Sequence, residues 1–141
     1  MIFAKNPENI VPQFSIKAIR YPGNEMHIMN YVDAEDFSGN LKEVFEKANA
    51  FIVRNLHKIQ AGRSVNAPEL MEIPNIVFEE LLVNALVHRD YFISSPVRIF
   101  ILDDRIEIVS PGHLPNNLTV DSIKIGSSNI RNPIIATFVA R

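Results

Sequence analysis

Three polar residues stand at four-residue intervals in the segment EELLVNALVHRDY, Glu79 to Tyr91: Glu80, Asn84 and His88. On a helix this spacing stacks them along one face. A carboxylate and a carboxamide one turn apart can divide the handling of a nucleotide. The amide oxygen is a neutral, hard ligand for Mg2+, an ion that keeps phosphate oxygens and waters in its shell. The carboxylate can orient a water and take its proton during attack on a γ-phosphoryl group. Both tasks need side chains projecting from a rigid element toward one point, which i, i+4 spacing on a helix provides. The same spacing fits a solvated helix edge with Glu80 and Asn84 facing water. Asn in mid-helix costs only about 0.5 kcal/mol relative to Ala, so spacing alone leaves both readings open.

The elements that would position these residues follow from hydrophobic periodicity. Pro74 suits a first helical turn, and the helix it opens runs to about Arg89, with Val77, Phe78, Leu81, Leu82, Ala85 and Leu86 available for burial. An earlier amphipathic helix is expected over residues 38–59, because Leu41, Val44, Phe45, Ala48, Phe51, Ile52, Leu56 and Ile59 recur at steps of three and four. Ser38 is its candidate N-cap. Upstream, FSIKAIRY and MHIMNYVD, separated by the turn residues YPGNE, suggest a hairpin with a longer loop. Downstream, PVRIFILDDRIEIVSPG reads as a hairpin turning at Asp103-Asp104, which sets Ile101 opposite Ile106 and Ile99 opposite Ile108. Val97 joins that face, while Arg98, Phe100, Arg105 and Glu107 form a wetter one. The segment QAGRSVNAPELMEI is a polar connector with room for a short strand. LTVDSIKIG is ambiguous, and RNPIIATFVAR begins another helical pattern.

Composition narrows the class. With 141 residues, 47% of them hydrophobic and 21% charged, the chain can build its own core as one soluble domain. A net charge of −2 with scattered Lys and Arg argues against direct nucleic-acid binding. No apolar run approaches the roughly 20 residues of a membrane span, and no signal peptide opens the chain; a cytoplasmic location is the expectation. Absence of cysteine removes disulfides and thiolate metal sites. Neither G-x-G-x-x-G nor a Walker A loop is present.

NALVHRDY and IEIVSPGHLP, taken together with GSSNIRNPIIA, NPENIVPQFSIKAIRYPG and the FSGNL helix start, resemble one branch of the gyrase/histidine-kinase (GHKL) ATPase superfamily. That branch is the divergent ATPase-like domain of bacterial and archaeal transcriptional regulators, known as RecG-like helicase C-terminal or helicase-related and associated with Schlafen-like domains. The resemblance implies that Glu80 and Asn84 are the E-x-x-x-N helix box, Glu80 the water-activating base and Asn84 the Mg2+ ligand. His88, Arg89 and Asp90 belong to the branch's own HRDY continuation, to which the motif assigns no role, and His88 and Asp90 are candidate nucleotide-binding residues. The resemblance aligns Ser110-Pro111-Gly112 with the D-x-G-x-G loop that holds adenine in ordinary members. Here the Asp is Ser110 and the second glycine is Leu114, and Gly112 alone remains. The implied cofactors are ATP and Mg2+, and the implied activity is at most a weak Mg-dependent ATPase. The resemblance also implies a glycine-containing lid beyond residue 141, a Schlafen-like domain before this chain and a winged-helix DNA reader after it. DNA would then be met only through those other domains, and a homodimer is a candidate assembly. An alternative is a non-catalytic assembly module that kept the fold without the chemistry.

Other signals weigh less. HRD also begins a protein-kinase catalytic loop, but that loop needs Asn where Ser95 stands. His27, His57, His88 and His113 lack zinc-ligand spacing. Arg131-Asn132-Pro133 could contact an anion at a helix start, or simply cap a helix entry, which is the simpler account. The expected fold is an α/β (α+β) two-layer sandwich, GHKL ATPase-like and truncated at its C-terminus. A mainly antiparallel sheet carries helices on one face, with Phe45, Phe51, Leu82, Ile99, Ile101, Ile106 and Ile108 in the core. Residues 1–141 are expected to be one domain and a fragment of a longer chain, with a β-hairpin region at 1–37 and a partial ATPase-like core at 38–141.

Overall fold

The computed structural model describes residues 14–27, 29–60 and 73–113. The polar connector after Gln60, LTVDSIKIG and the helix entry at Arg131-Asn132-Pro133 lie outside the described residues. Six elements follow in the order β1 (Ile16–Arg20), β2 (Asp33–Phe37), α1 (Leu41–Gln60), α2 (Asn75–Val87), β3 (Val97–Ile101) and β4 (Ile106–Val109). The strands form one sheet ordered β2-β1-β3-β4. β1 pairs antiparallel with β2 and parallel with β3, and β3 pairs antiparallel with β4. The expected α+β, mainly antiparallel architecture is therefore present.

One face of the sheet is covered. Ile16 and Ala18 of β1 and Val97, Ile99 and Ile101 of β3 are buried against Leu41, Val44, Ala48, Phe51 and Ile52 of α1 and Phe78, Leu82 and Leu86 of α2. Phe45, Ile106 and Ile108 are partly buried at its margin. The β3–β4 hairpin has the expected register, Ile101 opposite Ile106 and Ile99 opposite Ile108. Its two-residue loop is closed by the Leu102 N–H donating to the Arg105 carbonyl at 2.9 Å. A two-residue connection fixes the pairing, and the period of two then decides every side chain's face.

Four expectations need correction. The partner of β1 is DAEDF, not MHIMNYVD, whose described residues from Met26 to Val32 form the connecting loop. DAEDF has poor intrinsic strand preference and is fixed by its neighbours. Lys17 faces Asp36 at 3.4 Å across the pair. From α1, Arg54 reaches Asp33 at 2.8 Å and Glu35 at 3.0 Å, and buried Asn55 reaches Asp33 at 3.0 Å. A charged edge also discourages pairing with another chain.

The cap of α1 is Asn40, not Ser38. The Asn40 side chain accepts the Glu43 N–H at 2.9 Å and the Glu43 carboxylate accepts the Asn40 N–H at 3.3 Å, a reciprocal capping box. Pro74 stands at the N-cap of α2, one residue before the helix, which has no side-chain cap. Finally, Val77 and Leu81 are exposed rather than buried.

Asp103 does more than turn the chain. Its carboxylate pairs with the buried guanidinium of Arg20 and accepts the Gly23 N–H at 3.0 Å, tying the end of β1 to the β3–β4 turn.

Candidate functional site: the outer face and C-terminal end of α2

α2 is NIVFEELLVNALV, apolar around most of its circumference. The inward positions Phe78, Leu82, Ala85 and Leu86 fill the core. Outward stand Ile76, Val77, Glu80, Leu81 and Asn84, all exposed, with Ile76 at 65% and Leu81 at 46%. Glu80 and Asn84 therefore share an accessible face, a helical turn of about 5.4 Å apart. Neither side chain makes a hydrogen bond or ion pair with a described residue.

A helix end leaves its last carbonyls without intrahelical partners, and here they organise the surroundings. The Asn84 carbonyl accepts the His88 N–H at 3.0 Å. The Ala85 carbonyl accepts the Ser110 hydroxyl at 2.7 Å, and the Leu86 carbonyl accepts the Tyr91 hydroxyl at 2.9 Å. The Asp90 N–H donates to the Pro111 carbonyl at 2.8 Å. The loop after β4 is thereby docked on the end of α2, with Ser110 on the Ala85 carbonyl and Pro111 against Asp90. Gly112 has φ +122°, a conformation open to glycine and strained for other residues. Glu80 lies a turn farther from this junction, and His88 is half-buried at the C-cap.

The turn after α2 is held by a residue whose role the sequence left open. Arg89 is only 1% exposed. Its guanidinium lies 4.8 Å from the Tyr91 ring centre and 5.7 Å from that of Phe14. It donates to the carbonyls of Ser95 at 2.6 Å and Ile93 at 3.4 Å. Burial lowers the Arg89 pKa, against the pull of Tyr91 and Asp90. Burial also pushes the Tyr91 hydroxyl up to about 12, opposed by the Arg89 charge. Asp90 accepts the Phe92 N–H at 3.0 Å, an Asx turn that leaves Phe92 fully exposed. The signal in the sequence was an Arg followed two residues later by Tyr, beyond a helix end, which has no chemistry of its own until Phe14 arrives from the far side of the chain.

The donor set can be tested against the expected groups. Among the described residues no cluster of three His, Cys, Asp or Glu could cage a metal. One amide oxygen and one carboxylate on an open helix face suit a Mg2+ that takes its remaining ligands from phosphates and water. The Ser110–Gly112 loop fits adenine less well, having a committed hydroxyl where a carboxylate would accept the amino hydrogen. A separate open groove of about 510 Å3 on the β1–β2 loop is lined by Met26, His27, Met29 and Asn30 and shares no residue with α2.

The described residues form an α+β fold, a four-stranded sheet with two helices packed on one face. Residues 94–141 match the family model described as "Putative ATP-dependent DNA helicase recG C-terminal". The match supports a divergent GHKL-type, ATPase-like domain, as the sequence blocks implied. The crystal structure of the DIP2311 protein from Corynebacterium diphtheriae is similar with a TM-score of 0.66 at 19% identity, over 89% of this chain and 24% of that one. This likeness is one of fold, and the chain spans about a quarter of that protein's length. No curated protein matches the chain. Among the described residues no helix is long and apolar enough to cross a membrane.

Proposed function

We propose that this domain is the nucleotide-binding module of a helicase-related transcriptional regulator, taking ATP with Mg2+ on the outer face of α2. The observation that carries the reading is the exposure of Glu80 and Asn84, one turn apart and without side-chain partners among the described residues, on the helix whose end the loop after β4 docks against. The family match over residues 94–141 supports it. In this reading the Asn84 amide oxygen takes one Mg2+ position. The Glu80 carboxylate orients the attacking water and accepts its proton. His88, Asp90, Ser110 and Gly112 border the nucleotide, and hydrolysis, where it occurs, is slow and Mg-dependent. DNA contact belongs to other domains of the full protein, which works in the cytoplasm.

The test is calorimetric titration of Mg2+ with a non-hydrolysable ATP analogue, on this chain and on the natural full-length protein. Saturable, Mg-dependent binding in the full-length protein is expected. Its absence from both would overturn the reading.

A second reading has its own observation. Ile76, Val77 and Leu81 expose apolar surface beside Glu80 and Asn84, as an assembly surface would. Under it the module joins two copies into a homodimer and does no chemistry. An oligomer size that shifts with nucleotide contradicts that account.

A further inference from the structure

We propose that the β1–β2 loop binds a soft monovalent cation, copper(I) or its analogue silver(I), through the thioethers of Met26 and Met29 and the imidazole of His27. The site shares no residue with α2 and does not depend on the nucleotide reading.

Methionine is ordinarily a core residue, yet two of the four in this chain stand together in MHIM, Met26 to Met29. Neither fills the core. Met26 is 40% exposed and Met29 is 93% exposed, so packing does not account for them. Both line the open groove on this loop, together with His27 and Asn30. A thioether is a soft, polarizable donor that selects copper(I), and imidazole suits the same metal. Zn2+ takes thiolate, imidazole and carboxylate ligands, and of these only the His27 imidazole lines the groove. A monovalent d10 ion accepts low coordination numbers, so three donors from one loop can complete its shell. The unbranched methionine side chains can close over the ion without moving the backbone.

Two further features fit a metal site. The Glu25 carboxylate stands 4.0 Å from Nε2 of His27. A carboxylate behind a ligating imidazole orients the ring and strengthens its donation, and Nδ1 is the nitrogen left for the metal. The loop is also fixed at both ends. The Gly23 N–H donates to the Asp103 carboxylate at 3.0 Å, and the Arg105 guanidinium donates to the Asn24 carbonyl at 3.0 Å. At the other end the Val32 N–H donates to the Arg20 carbonyl at 2.7 Å. Anchored ends lower the entropic cost of gathering the donors.

The test is calorimetric titration of silver(I) nitrate, in chloride-free buffer, into the natural full-length protein and its variants. The double variant Met26→Leu, Met29→Leu removes both sulfurs and keeps the apolar surface, and it should melt with the parent because neither side chain packs in the core. The parent should show a silver site with a dissociation constant of about 10 μM or tighter that the double variant lacks. His27→Gln should weaken that site by about tenfold. Equal silver binding by the parent and either variant overturns the assignment, and in the double variant it would leave the methionines as exposed apolar surface for a macromolecular partner. Displacement of silver from the site by an equal concentration of Zn2+ would overturn its soft-metal class.

Discussion

The two helices, of 20 and 13 residues, solve different problems. α1 is amphipathic, and its polar residues are engaged in holding structure: Asn40 and Glu43 close its first turn, while Arg54 and Asn55 fasten β2. α2 has no side-chain cap, is apolar around most of its surface, and turns Glu80 and Asn84 outward with no described partner. Its end is held by groups from elsewhere: Ser110, Tyr91 and the backbone around Asp90. A helix that secures itself can serve as scaffold. A helix secured by its surroundings has polar side chains free for a ligand, and the surroundings set where they stand.

The largest expected contrast lies in packing. Phe51→Ala in α1 should cost about 4 kcal/mol, because the ring is fully buried and packs edge-on against Phe37 of β2. Leu81→Ala on the outer face of α2 should stay within about 0.5 kcal/mol. Denaturant unfolding measures both, and equal costs would break the comparison.

Arg89→Ala should cost about 3 kcal/mol, since it removes a buried cation that bonds two carbonyls and lies against two rings. A loss below about 1 kcal/mol would mean that the end of α2 is not held from this side.

A titration sharpens the same point. Tyr91 ionises near 10 when unfolded and about 12 when folded, chiefly because the folded site buries it. The unfolded chain therefore loses its proton first, and stability that is level below pH 10 falls as pH rises from 10 toward 12. The contribution is roughly 2 kcal/mol. Tyr91→Phe, compared across that window by denaturation, should fall less steeply than the parent. Parallel curves would show that the hydroxyl is not buried against Leu86.

Smaller still is the cap. Asn40→Ala should cost about 1 kcal/mol, with a loss of helical signal at the start of α1. A neutral result would transfer the capping role back to Ser38.

The same division explains what could be read from the sequence. The α1 stripe and the β3–β4 register were legible because each is a local period, with Leu41, Val44, Ala48 and Phe51 on one and Ile99, Ile101, Ile106 and Ile108 on the other. Asp33–Phe37 was not, because a strand of acidic residues exists only through Arg54, Asn55 and the neighbouring β1. Arg89 was not, because its ring partner Phe14 lies at the far end of the chain. The alignment of Glu80 with Asn84 followed from spacing alone. The docking of Ser110 on the Ala85 carbonyl depends on tertiary geometry that no spacing encodes. Val77 and Leu81 are exposed because apolar pattern in an all-round apolar helix does not say which side meets the core.

The central claim is that the outward polar pair of α2 serves a ligand and not the fold, and Asn84→Ala separates the two directly. Melting temperature and affinity for the Mg2+ complex of a non-hydrolysable ATP analogue should be measured on the same full-length preparation. The account predicts stability unchanged within about 0.5 kcal/mol, with affinity reduced by about tenfold or more. Unchanged affinity in the variant, or a loss of stability that accounts for the loss of binding, would contradict it.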